Sequence, residues 1–397
     1  MHLVKLSVDA KRVLVLSWSS CALLSVVRAL ACRWAGVTVL TRSHDPVVAR
    51  SRYIRRWEVF GREDSVDSIL GRLEALVKRD GIDLVMANDE GSVEFISANR
   101  DRLAPFVLTT PVAELDVVRR LRDKRRFMDL VEELGIPHPK SLLSGAGDDG
   151  SIGERALAEL RGPWVVKPAN LTCGFGVERC DTPEQLLAAL ASKHKTGGPF
   201  LIQEFLAGQD LDFCLVARQG RILRWTSRIG MGPKDRFGAP GSLWELRRVP
   251  ELLPCMERLV ESTAWSGALD VDCVYETNTG SWGALECNTR FGATTLADAA
   301  AGVNLPEALV LAGLDRPVPE VECRAQAFYC GGWGLPEFLG LGGRPRRKIR
   351  ETYLPYVLRD PFPELSVVVC SRMMKAVERV KSARGGRPEV MGSNLHH

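Results

Sequence analysis

A chain of 397 residues can hold two or three domains with cores of their own. Its 45% hydrophobic and 26% charged residues are an ordinary globular composition, and a net charge of +4 (53 basic, 49 acidic) is too small to imply a nucleic-acid partner. Eleven cysteines, an odd number with no Cys-x-x-Cys pair, argue against a secreted disulfide framework and for free thiols in a reducing cytoplasm.

Val13 to Cys32 follows Lys11-Arg12 and imitates a targeting signal. Ser17, Ser19, Ser20 and Arg28 interrupt it, so it reads better as a buried strand and a helix. No apolar run is long enough to span a membrane. The chain then alternates: strand 12–16, helix 21–33, strand 37–40, helix 65–79, strand 83–87, helix 91–100 and a short strand at 106–108. That order predicts a doubly wound parallel α/β domain. The first strand–helix turn, Ser17-Trp18-Ser19-Ser20-Cys21, lacks the Gly-x-Gly-x-x-Gly of a dinucleotide site. Asn88-Asp89-Glu90 follows the 83–87 strand, at an end where ligands collect in such sheets. The competing reading is an acidic N-terminal helix cap.

An amphipathic helix is expected over Leu121–Leu134, stopped by Gly135 and Ile136-Pro137-His138-Pro139. After a loop at 145–151, Trp164-Val165-Val166-Lys167-Pro168 reads as a strand ending in a lysine, followed by the small-residue loop 169–177. Lys167 is either an edge-strand lysine with its head in water or a phosphate contact beside that loop. Thr182-Pro183-Glu184-Gln185 opens a helix, Phe200–Leu206 is a strand, and a hairpin joins 212–218 to 221–228. Arg228 stands before a second glycine loop, 230–241. It holds a substrate carboxylate or sits on a surface strand. Helices are expected at 251–263 and 296–312, and the basic run 344–350 is a solvated loop or an anion contact.

Between those helices two strands alternate, 267–275 and 285–292. Symmetric closure about Thr279 sets Asp272 opposite Glu286, with Asn288 and Arg290 further along the same face. Carboxylates directly opposed repel unless a cation lies between them. Such all-oxygen ligands suit Mg²⁺ or Mn²⁺, and a solvated hairpin face is the alternative. Walker A, His-Glu-x-x-His and Gly-x-Ser-x-Gly patterns are absent.

The order of these motifs resembles the ATP-grasp ligase superfamily, which includes D-alanine–D-alanine ligase, biotin carboxylase and the carbamoyl phosphate synthetase large subunit. The motifs are Lys124 heading a helix that ends Gly-Ile-Pro-His-Pro, then Val-Val-Lys-Pro with a glycine loop. Gln-Glu-Phe-Leu-x-Gly-x-Asp, an acidic strand and Glu-x-Asn-x-Arg complete the series. The resemblance covers residues 10–315. It implies a mixed α/β and α+β ATP-grasp fold: an N-terminal parallel α/β domain (1–115), a small central lid domain (116–200) and a larger C-terminal domain (201–315), with 316–397 an extension of unknown role. It implies ATP and Mg²⁺ (or Mn²⁺). Lys124 and Lys167 match phosphate lysines; Thr172, Gly174 and Gly176 lie in the lid loop. Gln203, Glu204 and Leu206 match the adenine hinge, and Asp210 the ribose contact. Asp272, Glu286 and Asn288 match metal ligands. Arg290 matches the arginine facing an acyl phosphate. The implied activity is ATP-dependent joining of a small, amino-acid-like carboxylate to an amine, releasing ADP and phosphate. The resemblance would also suggest a homodimer, with no nucleic acid or membrane involved. A bicarbonate-activating enzyme and a non-catalytic ATP-binding regulator are the alternatives.

Overall fold

The computed structural model describes residues 12–31, 34, 36–144, 151–169, 176–196, 198–231, 243–324, 328–330 and 354–366. Expectations for Thr172, Gly174, nearly all of the 230–241 loop and the basic run 344–350 fall outside these residues.

Three sheets organise them. The first contains β1 (Val13–Ser17), β2 (Val37–Thr41), β3 (Ile54–Val59), β4 (Leu84–Ala87) and β5 (Leu108–Thr109). All pairs are parallel and the order is β3-β2-β1-β4-β5. β1 is buried along its whole length, as its unbroken apolar run requires of a central parallel strand. The chain leaves β1 for β2 on one side and returns to β4 on the other. The loops after β1 and β4 therefore meet at the switch point of the sheet.

The second sheet contains β6 (Ser141–Leu143), β7 (Trp164–Pro168), β8 (Glu178–Cys180) and β9 (Phe200–Glu204), in the order β6-β9-β7-β8. It has its own small core, built from Ile152, Trp164, Val166, Leu186 and Ile202 among others. The expected boundary at 200/201 cuts β9, which pairs with β6 and β7 through Glu204.

The third sheet is antiparallel. It contains β10 (Gln209–Arg218), β11 (Arg221–Gly230), β12 (Leu243–Leu246), β13 (Gly267–Tyr275), β14 (Trp282–Asn288) and β15 (Phe328–Cys330), in the order β14-β13-β10-β11-β12-β15. One apolar cluster joins this sheet to the first: Leu14, Phe60, Leu73, Val131, Phe213, Trp265 and Val271 all belong to it.

Three expectations need correction. The helix predicted at 121–134 is two helices, Leu115–Arg122 and Lys124–Glu133. Asp123 is extended and its side chain caps the second by accepting from Arg126 N, so a local hydrogen bond overrides the helical pattern. The helix predicted at 296–312 breaks into Thr295–Ala300 and Leu305–Gly313, because Gly302 sits at φ 95° and Asn304 caps the second segment. β14 ends at Asn288, before Arg290.

Residues 354–366 fasten to the first sheet. Asp360, 0% exposed, accepts from Arg28 Nε (3.0 Å), Ser51 Oγ (2.7 Å) and Arg52 N (2.9 Å), while Arg28 also pairs with Glu364 (2.6 Å). No helix among the described residues is long and apolar enough to cross a membrane.

Candidate active site

The register of the third sheet builds a polar face two rows deep. Glu286 pairs with Asp272, Asp272 with Asp212, and Asp212 with Arg228, so three acids and one arginine cross four strands in a row. The next row on that face is Asn288, Asp270, Cys214 and Thr226. Opposition of Asp272 to Glu286 is the register that symmetric closure predicts. The closure itself is not symmetric: the pairing shifts beyond Asp272, where Cys273 faces Ala284, so Leu285 is the extra residue of a bulge. The bulge lies where the linker after the Lys124–Glu133 helix arrives, with Ala284 N donating to Pro137 O at 2.8 Å.

One half of the face is sealed. Arg228, 0% exposed, reaches Asp298 Oδ2 at 2.8 Å, Asp270 Oδ1 at 3.1 Å and Asp212 Oδ2 at 3.2 Å. Asp298 comes from the Thr295–Ala300 helix and is itself fully buried. Arg228 is therefore neither the surface arginine nor the substrate-facing arginine expected from its loop position: three aspartates enclose it beneath the face. Gly292 is pressed against this cluster. A Cβ there would overlap Asp270 Oδ2 and come within 2.7 Å of Arg228 Nη2, which explains a glycine two residues beyond Arg290. One cation does not balance three acids, of which Asp270 and Asp298 are buried and Asp212 is 15% exposed. Burial first, and then Asp270, push the carboxyl of Asp212 up to about 8 and that of Asp298 up to about 7, against the pull of Arg228.

The other half is open. Glu286, Asp272 and Asn288 are partly exposed, and Asn288 Nδ2 lies 3.3 Å from Asp272 Oδ1. Two lysines approach from different substructures. Lys124, at the head of its helix, is 3.1 Å from Glu286 Oε2. Lys167, on β7 of the second sheet, is 7% exposed. Burial lowers the Lys167 ammonium to about 8, with Glu286 pulling it back up and Lys124 pushing it further down. Burial resists ionisation of Glu286, yet the two lysines outweigh it and hold that carboxyl below its usual range. Asp272 is pushed well above its usual range by burial and by the negative charge of Asp212 and Glu286. An acid pair so arranged has the donor chemistry of a Mg²⁺ or Mn²⁺ site, while the Asn288 amide turns its nitrogen to Asp272 and its oxygen to Arg290 Nη2 at 3.4 Å. Among the described residues no group of three His, Cys, Asp or Glu side chains is placed as a metal site.

Arg290 lies past the end of β14. Its Nε is 2.7 Å from Glu90 Oε1, and Nη1 donates to Phe291 O at 3.0 Å. Burial opposes its charge, and Glu90 more than offsets that, so Arg290 stays cationic. Of Asn88-Asp89-Glu90, expected to be either a ligand site or a helix cap, Glu90 is the one that pairs with Arg290. The cap reading holds for its neighbours: Asp89 closes a capping box with Ser92, and buried Asn88 donates to Ser17 Oγ and Cys21 O.

The remaining predicted residues sit along the second sheet and its exit. Gln203 points inward, donating to Ser141 Oγ at 2.9 Å. The Glu204 N–H donates to Lys140 O and its carboxylate accepts from Arg161 N. Leu206 follows in the linker between β9 and β10 and packs toward Gly283. Asp210 opens β10, two residues from Asp212 on the same face. Gly176 ends the undescribed loop at φ 70°, beside Pro168.

No family model matches the chain. It is similar to the arginine-specific large chain of carbamoyl phosphate synthase from Bacillus subtilis, 21% identical over 226 residues, covering 55% of this chain and 21% of that one. It is also similar to the D-alanine–D-alanine ligase of Ectopseudomonas mendocina, 28% identical over 116 residues, covering 29% and 34%. The chain spans less than two thirds of the length of such curated relatives. Among solved structures, the L-amino acid ligase of Bacillus licheniformis superposes with a TM-score of 0.59 at 14% identity, covering 81% of this chain and 79% of that one. These likenesses, with the three-sheet architecture, identify the chain as having the ATP-grasp fold.

Proposed function

We propose that this chain is an ATP-dependent ligase that converts a substrate carboxylate to an acyl phosphate and joins it to an amine, releasing ADP and phosphate. One observation carries the reading: lysines from two substructures, Lys124 and Lys167, converge on the carboxylate pair of Asp272 and Glu286. Positive side chains beside an acid pair suit a phosphorylated substrate and its counter-ion. Similarity to a D-alanine–D-alanine ligase supports an amine as the acceptor.

The residues divide the work. Lys124 and Lys167 hold the ATP phosphates, the hinge at Gln203, Glu204 and Leu206 takes the base, and Asp210 takes the ribose. Asp272, Glu286 and Asn288 would hold Mg²⁺, which supplies charge to offset that on the terminal phosphates. The substrate carboxylate attacks the γ-phosphorus and ADP leaves. The amine then attacks the acyl carbonyl, and phosphate departs as the C–N bond forms. Arg290 stabilises the acyl phosphate and the oxyanion of the tetrahedral intermediate.

A phosphate-release screen of amino acids and small carboxylates in pairs, with ATP and Mg²⁺, tests this. Turnover that needs both a carboxylate and an amine is the expected result. Turnover dependent on bicarbonate instead would move the chain to the activity of its carbamoyl phosphate synthase relative. ATP binding without turnover across the panel would make it a regulator.

The depressed lysine adds a separate expectation. Free Lys167 loses its proton near pH 8. Phosphates favour the ammonium form, so ATP binding at pH 8.5 should take up a proton. Calorimetry in two buffers of different ionisation enthalpy measures this. Equal uptake by wild type and Lys167→Met would show that the proton goes elsewhere.

A further inference from the structure

The first sheet meets the third across a small cavity of about 10 Å³. Its wall includes Ala87 and Thr110 at the ends of β4 and β5, Trp265 and Gly267 at the entry to β13, and Thr289 just past β14. Thr110, Trp265 and Thr289 are 1%, 0% and 0% exposed. Among the described residues, Thr110 Oγ1, Trp265 Nε1 and Thr289 Oγ1 have no hydrogen-bond partner. Buried hydroxyls and indole N–H groups are nearly always paired in native proteins, and three left unpaired around one cavity would be costly.

Two of the three residues are held rigidly. Thr110 N donates to Val85 O at 2.9 Å, and a Cβ on Gly313 would come within 3.1 Å of Thr110 Cα. Trp265 N donates to Val260 O at 2.8 Å, and Trp265 O accepts from Gly220 N at 2.9 Å. Gly267 has φ 124°, and a Cβ there would lie 3.3 Å from Pro111 O. The backbones of the two walls are thus already in contact and cannot close further. Thr289 differs, because it follows the last residue of β14. Its side chain turns away from the cleft and is buried, while Asn288 and Arg290 on either side of it are partly exposed.

The chemistry of these atoms selects an occupant. The indole nitrogen only donates, whereas each hydroxyl donates and accepts. A water can accept from Trp265 Nε1 and donate to both threonine oxygens, the three bonds usual for a buried water. One water needs roughly 10–15 Å³ of such space, which matches the cavity. Among the described residues no carboxylate lines it, so a metal cation would find no charged ligand. We propose that a single buried water, bonded to Thr110, Trp265 and Thr289, is a fixed part of this protein, and that through it Thr289 is a positioning residue for Arg290. The water ties the turn that carries Arg290 to two rigid walls. The importance of Arg290 rests on the ligase reading; the water does not.

Crystallography of the full chain tests the water. A structure at about 1.5 Å resolution should show one peak roughly 2.7–3.2 Å from all three atoms. Bromide soaked into the crystals should give no anomalous signal there. No peak, or a halide at that position, overturns the proposal whatever the chain's activity. Thr289→Val and Thr110→Val each remove one hydroxyl with little change of shape. In crystals of Thr289→Val the water should be gone and Arg290 displaced; an unmoved Arg290 overturns the positioning role. With the substrate pair found by screening, each valine variant should lower kcat by about 10–100-fold, the scale of a small misplacement of a catalytic group, with KM for ATP near wild type. The double variant should be no worse than either single one, because each alone expels the same water. Thr289→Ser restores the hydroxyl and should recover most of kcat. Full kcat in both valine variants, or losses that multiply in the double variant, would overturn the shared-water role while leaving the ligase reading intact. A chain without carboxylate–amine turnover would remove that reading alone, and the two crystal structures would still decide the water and its hold on Arg290.

Discussion

Arg228→Met is expected to lower the unfolding free energy by about 3–5 kcal/mol, the range seen when one partner of a buried ion pair is removed. Methionine fills much of the same volume, so the loss is not chiefly one of packing. It comes from three acids left without their cation: Asp298 at 0% exposure, Asp270 at 4%, and Asp212. The loss should also depend on pH. The folded-state carboxyls of Asp298 and Asp212 are raised to about 7 and about 8, above an ordinary value of 3.8. A raised acid binds more protons folded than unfolded, so its contribution to stability falls as pH rises from about 4 through those values. Below pH 7 the acids can carry protons and need Arg228 less; above pH 8 they cannot. Urea unfolding at pH 6 and pH 8.5 therefore measures two things, and the variant's deficit should be larger at pH 8.5. An unchanged midpoint at both pH values would mean that the cluster contributes nothing to the fold. Arg228→Lys keeps the charge but not the fork, and should lie between the two.

Arg290→Ala is expected to reduce kcat by about 10²–10³-fold, the cost of losing one preorganised oxyanion donor. Stability should change little, because Arg290 and Glu90 are both partly exposed and water can solvate the carboxylate left behind. KM for ATP should also stay close to wild type, since the two lysines and the acid pair are untouched. ADP release with the substrate pair found by screening gives the answer, and full turnover in this variant would remove Arg290 from the chemistry. The contrast with Arg228 is useful. The two arginines are near neighbours on one polar surface, yet the sealed one should govern stability and the open one catalysis.

Much of this was legible from local chemistry. β7 spans Trp164–Pro168 and β13 spans Gly267–Tyr275, the bounds that their alternation and flanking residues predict. β1 is legible because a central parallel strand is apolar on both faces. The facing of Asp272 and Glu286 was expected from a period of two and one turn, but it is reached through the bulge at Leu285. Where the local pattern is mixed, it misled. β3 carries Arg55, Arg56 and Glu58 on an edge strand with no continuous apolar run. The short strands β6 and β8 take their pairing from β9 and β7, and so depend on partners distant in sequence. Asp123 and Asn304 end helices that apolar spacing alone would continue, because a cap is one side-chain hydrogen bond rather than a periodicity.

The sequence by itself thus determined which residues stand on which face of each strand, and with them the acid pair, its amide neighbour and the lysine at the end of β7. Tertiary structure decided what those faces meet. Arg228 is a core residue only because a helix 70 residues further on brings Asp298 over it. Arg290 points as it does because Glu90 reaches it from the helix that follows β4. Periodicity is a property of neighbouring residues in the chain. The burial, charge balance and orientation of an arginine depend on which distant elements pack above it, and no spacing encodes that.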